Sequence, residues 1–207
     1  MEIGKISASV AFIFVFLVSS MASTMAEVYF SSLPWTLIVS ASPKPGQVLK
    51  AGVDKITVTW GLNQSQPAGS DSAYKKVKVW LCYAPASQAD RSWRKTVDDL
   101  KKDKTCQFAI ADQPYTGAAA GNTSFVYAVR RDVPSATYFV RAYVVDSAGD
   151  EVAYGQTTDA KKTANLFDVA GFSGLHASID IAAACFSAFS VLSLAFFFVT
   201  ENRKAKK

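Results

Sequence analysis

Histidine is nearly missing from this sequence. Its one copy, His176, stands in the stretch Ser173-Gly174-Leu175-His176, so acid–base relays and metal sites built on imidazole have little to draw on. The three cysteines, Cys82, Cys106 and Cys185, show no metal-ligand spacing. A glycine-rich phosphate loop and a nucleophile elbow are also lacking. The acidic pairs Asp98-Asp99 and Asp150-Glu151 are adjacent in sequence, which suits a solvated surface better than two carboxylates flanking a substrate. These absences point away from an enzyme, and no cofactor or metal is expected. Internal repeats and long low-complexity stretches are missing too.

An excess of one charge is lacking over most of the chain. The whole sequence has 22 basic and 17 acidic side chains. Setting aside Glu2 and Lys5 at one end, and Glu201, Arg203, Lys204, Lys206 and Lys207 at the other, leaves 17 basic against 15 acidic groups. The basic balance is largely a property of the tail, and nucleic-acid binding does not follow from it.

Long hydrophobic runs, by contrast, are present at both ends. Ile181–Thr200 has no charge over twenty residues and is bounded by Asp180 and Glu201. As a helix rising about 1.5 Å per residue it spans roughly 30 Å, the thickness of a bilayer's hydrocarbon core. The basic cluster behind it (201–207) marks the cytoplasmic side. At the other end, Lys5 precedes the apolar Val10–Val18, and Thr24-Met25-Ala26 offers small residues for cleavage. Met1–Ala26 reads as a signal peptide, with an uncleaved anchor as the alternative. A glycolipid anchor disagrees with the polar tail that follows the span. The expected organisation is signal peptide 1–26, an extracellular β-sandwich 27–165, a juxtamembrane linker 166–180, a transmembrane helix 181–200 touching lipid, and a cytoplasmic tail 201–207. The chain is then a single-pass type I membrane protein.

Export favours a Cys82–Cys106 disulfide. Closing a loop of about 25 residues stabilises a fold by roughly 3.5 kcal/mol on the chain-entropy model. Asn63-Gln64-Ser65 and Asn122-Thr123-Ser124 are sequons, so Asn63 and Asn122 are expected glycan acceptors.

Between the ends the pattern has period two. Lys55–Trp60 alternates Ile56, Val58 and Trp60 against Lys55, Thr57 and Thr59, and Lys76–Tyr83 does the same with Val77, Val79, Leu81 and Tyr83. Thr123–Val129 and Thr137–Val145 are rich in β-branched and aromatic residues. Such runs, separated by turn signals at Pro43–Gly46, Gln66–Asp71, Thr116–Asn122 and Ser147–Asp150, predict a mainly β, antiparallel sandwich. Val133–Tyr143 resembles the penultimate strand of fibronectin type III domains, where a Tyr after a turn packs at a corner between the sheets. Trp60 sits where those domains keep a core Trp. The expected fold is therefore immunoglobulin/fibronectin-III-like.

Asp90–Lys104 breaks the pattern. Trp93, Val97 and Leu100 at i, i+4 and i+7 predict a short charged helix with a narrow apolar stripe, capped by Asp90 or Ser92. It is read either as a solvated surface helix or as a docking surface, since Trp and Arg are typical interface anchors.

Several blocks together resemble the plant high-affinity nitrate transporter-activating protein family: Phe30–Pro34, Ser42-Pro43-Lys44 with Gly46–Gly52, Thr57–Trp60, Lys76–Val79, Cys82–Pro85, Asp90-Arg91 with Trp93-Arg94-Lys95, and Lys102–Phe108. The resemblance implies a plasma-membrane accessory subunit that pairs with a multi-spanning high-affinity nitrate transporter and is needed for its stability at the membrane and its uptake activity. It favours the docking reading, with Arg91, Trp93, Arg94, Lys95 and Asp103 as partner-binding residues. Arg94 would meet a partner carboxylate, and Asp103 a partner cation or Arg94 itself. A cell-surface adhesion or ligand receptor is the alternative.

Overall fold

A computed structural model describes residues 27–67, 69–117, 121–174 and 177–204. The expected signal peptide, His176, Lys206 and Lys207 lie outside them. Among the described residues, nine strands and one long helix follow in order: β1 Leu37–Ala41, β2 Val48–Lys50, β3 Lys55–Leu62, β4 Lys76–Tyr83, β5 Cys106–Pro114, β6 Thr123–Ala128, β7 Ala136–Val145, β8 Glu151–Gln156, β9 Phe167–Ala170 and α1 Ala177–Lys204. The alternating runs of the sequence became β3, β4, β6 and β7.

Two sheets face each other. One has the order β1-β3-β6, and the other β2-β9-β7-β4-β5, with β8 also on β7. Strand β7 lies between β4 on one side and two shorter strands on the other. Its first residues pair with β9 and its last with β8. Pairing is antiparallel except between β2 and β9, which run parallel. The inward faces, Leu37, Val39, Ile56, Val58, Trp60, Val77, Val79, Leu81, Val140 and Val144 among them, form one core. Trp60 is 3% exposed, as its place at the end of an alternating run implies.

The tyrosine corner forms as the sequence suggests. The Tyr138 hydroxyl donates to the Pro134 carbonyl at 2.8 Å. Its ring is fully buried and stacks on Tyr83, with centroids 5.0 Å apart. The bond ties the turn before β7 to the central strand of the larger sheet.

The expected linker 166–180 does not hold as drawn. Phe167 and Val169 are buried and Phe167–Ala170 is a strand, so the sandwich continues past residue 165. Four residues were too few to show a period. Their pairing is fixed instead by β2, by β7 and by the Asp168 carboxylate, which accepts a hydrogen bond from Thr137 Oγ1 at 2.6 Å. Helix α1 also begins earlier than residue 181. It puts Asp180 in its first turn and Arg203 and Lys204 in its last, the charge order a helix dipole favours. Its span Ser178–Lys204 has a mean hydropathy of 2.2 and is not buried within the protein, so the helix is long and apolar enough to cross a bilayer.

The β8–β9 connection closes around Asp159. Its carboxylate accepts the amides of Thr163 and Ala164 and the hydroxyls of Thr163 and Thr158, which holds its pKa well below the usual carboxylate range. A group whose pKa is depressed on folding stabilises above its unfolded pKa and loses that effect as pH falls.

Two outcomes follow. Tyr138→Phe should lower stability by about 1–2 kcal/mol, as loss of one buried hydrogen bond does, measured by thermal or denaturant unfolding. Asp159→Asn should melt lower than wild type at neutral pH. Below about pH 4 the gap should narrow progressively, because the unfolded wild-type chain takes up a proton at Asp159 that the folded carboxylate still resists. Melting curves across pH check this.

Candidate partner-binding surface

Cys82 at the end of β4 and Cys106 at the start of β5 stand opposite one another in the strand register and are disulfide-bonded. The chain between them, Tyr83–Thr105, forms a lobe. The charged helix expected over Asp90–Lys104 is not there. Only single turns of 3₁₀ helix occur, at Pro85–Ser87 and Ser92–Arg94, and the backbone is extended at Lys95. Local side-chain bonds compete with the helix and win. Asp103 Oδ1 accepts the amides of Val97 and Thr105 and the Thr105 hydroxyl, at 3.2, 3.2 and 2.6 Å. The Lys104 amide reaches back to the Lys95 carbonyl, closing the loop.

This changes which side chains face outward. Trp93, expected on the narrow apolar stripe and among the partner-binding residues, is 57% exposed, whereas Arg94, also expected to meet a partner, is only 7% exposed. The Arg94 guanidinium lies 4.1 Å from the centroid of the Tyr83 ring and donates from Nη1 to the Ser87 carbonyl. Arg91 Nη1 donates to the same carbonyl at 3.4 Å. Arg94 and Asp103 form no ion pair among the described residues; each is held by groups of the lobe itself. Arg91 and Lys95 are exposed beside Trp93. Together with Gln88, Asp90, Ser92 and Thr96 they line a cleft of ≈ 540 Å³. Of the five residues expected to bind a partner, three lie on the surface and two build its interior.

The N-terminal segment straps the lobe down. The Phe30 amide donates to the Asp98 carbonyl and the Leu100 amide to the Val28 carbonyl. The Asp98 carboxylate accepts Ser31 N and Oγ at 2.8 and 2.7 Å. Lys102 bridges Asp99 and Glu27, and its contact with Asp99 lowers that carboxyl's pKa. Pro34 and Thr36 exchange backbone bonds with Tyr154 of β8.

Beneath the strap lies Arg141, which the sequence analysis did not single out. It is 1% exposed. Its Nε and Nη2 donate to Gln156 Oε1, and its Nη1 to the Tyr143 hydroxyl. The Phe30 ring covers it, 4.2 Å from the guanidinium carbon to the ring centroid. Among the described residues it forms no ion pair. The available signal was composition: Phe139 and Tyr143 flank Arg141 on the outward face of β7, and two aromatic rings at successive outward positions are unusual for a face open to water. Burial and the Arg141 charge together push the Lys162 amine below its ordinary pKa, with Asp103 acting the other way.

The two ends of the sandwich differ. Tyr83 pairs with Tyr138, and β7 at that point pairs with β9, the last strand before α1. The Thr137 amide donates to Ser87 Oγ at 2.8 Å. The lobe's 3₁₀ turns therefore sit at the end from which the chain leaves for α1. The sequons sit at the other end. Asn63 follows β3 and Asn122 precedes β6, where Trp60 pairs with Thr123. Asn63 Oδ1 accepts the Ser65 amide in a local turn, and Asn122 is exposed beside Gly61.

Comparisons with known proteins agree with this architecture. Residues 30–174 match the family model described as high-affinity nitrate transporter accessory, Ig-like domain. The "High-affinity nitrate transporter-activating protein 2.1" of Oryza sativa subsp. japonica is 58% identical over 182 residues, covering 87% of this chain and 84% of that one. The "High-affinity nitrate transporter 3.1" of Arabidopsis thaliana is 54% identical over 162 residues, covering 78% and 75%. Among solved structures, an LPMO from Kitasatospora papulosa is 14% identical and covers 63% of this chain and 52% of its own, with a TM-score of 0.30, which is too low to carry an argument. The chain belongs to the high-affinity nitrate transporter accessory family.

Proposed function

We propose that this protein is the non-enzymatic partner subunit of a multi-spanning high-affinity nitrate transporter, needed for that transporter's stability at the plasma membrane and for uptake. Family membership supports the accessory role in nitrate transport. The placement of the lobe supports the mode of attachment: an exposed Trp93 with Arg91 and Lys95, on a disulfide-closed loop at the end of the sandwich nearest α1. Helix α1 lies in the lipid with its basic end in the cytoplasm, in type I orientation. The sandwich stands outside, beside the transporter's extracellular loops.

Within this reading the five residues divide their work. Trp93 supplies a large apolar anchor, and Arg91 and Lys95 give charge-assisted contacts to acidic loops of the partner. Arg94 acts from inside by fixing the 87–94 turn on Tyr83, and Asp103 by closing the 97–105 loop. The glycans at Asn63 and Asn122 would stand at the far end of the sandwich, clear of the contact.

Co-expression with the partner transporter in oocytes should raise nitrate uptake over the transporter alone; no rise would sink the accessory reading. Trp93→Ala should reduce recovery of the complex by about thirtyfold, the scale of a hot-spot truncation, with an unchanged melting temperature. Arg94→Gly should lower recovery and melting temperature together, because it removes a buried support. Asn63→Gln and Asn122→Gln should abolish the glycosidase-sensitive mobility shift and leave complex recovery unchanged. Loss of the complex on these changes would move the contact to the three-stranded sheet.

A further inference from the structure

Three turns meet where the sandwich hands over to α1, and their residues form a patch that the partner surface does not use. The first turn is Lys50–Lys55 between β2 and β3, with Val53 at its tip, 71% exposed. The second is Arg130–Asp132 after β6. The third is the connection after β9, with Phe172 49% exposed. They are joined to one another. The Ala51 amide donates to the Ala170 carbonyl and the Gly52 amide to the Val129 carbonyl. Gly171 N donates to Ser135 Oγ at 2.8 Å.

Arg131 knits the patch together. Its side-chain stem lies on Gly52, where an added Cβ would come within 2.6 Å of Arg131 Cγ and where φ is +82°. Its guanidinium carbon sits 4.9 Å from the centroid of the Phe172 ring. Around it, Lys50, Lys55 and Arg130 are exposed. The acidic groups here are Asp54, which accepts the Lys50 amide, and Asp132, which pairs with Arg130. The patch therefore combines an apolar tip, an aromatic ring and a surplus of cations, the composition of a surface that rests on lipid headgroups.

Its position agrees. Phe172 is five residues from the first residue of α1, so even a fully extended connection reaches only roughly 18 Å. With α1 in a bilayer, the patch is confined to the headgroup layer's vicinity. It lies at the β2 edge of the large sheet, and the Trp93 lobe lies at the β4–β5 edge.

We propose that Val53, Phe172 and Arg131, with Lys50, Lys55 and Arg130, dock the sandwich onto the lipid headgroups and so hold its base against the bilayer at a fixed attitude. The inference rests on reading α1 as a membrane anchor.

The test uses the full chain in lipid nanodiscs of mixed phosphatidylcholine and phosphatidylserine, with no transporter present. Val53→Cys and Ala148→Cys, each with Cys185→Ser, carry a bimane label, and headgroup spin-labelled lipid serves as quencher. Ala148 lies on the β7–β8 hairpin, at the other end of the sandwich. The expected result is strong quenching at position 53, none above background at 148, and persistence at 53 when a flexible Gly/Ser insertion follows Gly174. Combining Arg131→Glu and Phe172→Ser should remove the quenching in the lengthened chain. Equal quenching at 53 and 148, or loss at 53 on insertion alone, overturns docking and leaves a bare tether. So does quenching that survives the double substitution. Bimane on the native Cys185, read with acyl-chain quencher, separates a failed anchor from a failed dock: no quenching there would refute the anchor itself.

Discussion

Everything in this structure depends on β7 being covered on both faces. Its ten residues pair with β4 along one edge and with β8 and β9 along the other, and eight of them are buried. The inner face is covered in the ordinary way, by the opposing sheet. The outer face, with Phe139, Arg141 and Tyr143, is equally closed to water. A two-layer sandwich has no third layer to do this. The N-terminal strap and the disulfide lobe supply it, and both are irregular chain rather than helix or strand.

That requirement explains why the lobe is built as it is. A segment that lies across a sheet must satisfy its own backbone groups without a ladder, and Asp98, Asp99 and Asp103 accept amide bonds to do so. Arg94 and Arg141 have the opposite task. Each puts a flat cation against aromatic rings, which lets a long side chain fill space beneath the covering layer. The surface left over, Trp93 with Arg91 and Lys95, is what remains once these demands are met. The outward tryptophan is thus not a packing residue, which gives the docking reading its physical content.

The legible parts of the fold were those with a long period. Lys55–Trp60, Lys76–Tyr83, Thr123–Val129 and Thr137–Val145 each extend over enough residues for alternation to show, and the Tyr138 corner followed from a Tyr placed after a turn. The span of α1 was legible from its length and lack of charge. Phe167–Ala170 was not, because a four-residue strand takes its identity from its neighbours. Asp90–Lys104 was misread for a related reason. Trp93, Val97 and Leu100 do have helical spacing, but Asp99 and Asp103 accept backbone amides at close range, and periodicity does not register that competition. Of the candidate site, the composition of the segment was legible, and the burial of Arg94 was not. Arg141 escaped because a charged residue at an alternating outward position looks solvated until the covering layer is known.

The pairing of β9 has a mechanical consequence. This strand is the last before the chain enters α1, so any lateral drift of the helix in the bilayer pulls on it first. β9 lies between β2 and β7, and a pull along its axis loads its hydrogen bonds to Val48–Lys50 and Ala136–Tyr138 together, in shear. An edge strand pulled from a hairpin would instead peel one bond at a time. A load from the helix is therefore shared by two bonded edges, and it passes from there directly to the central strand of the larger sheet.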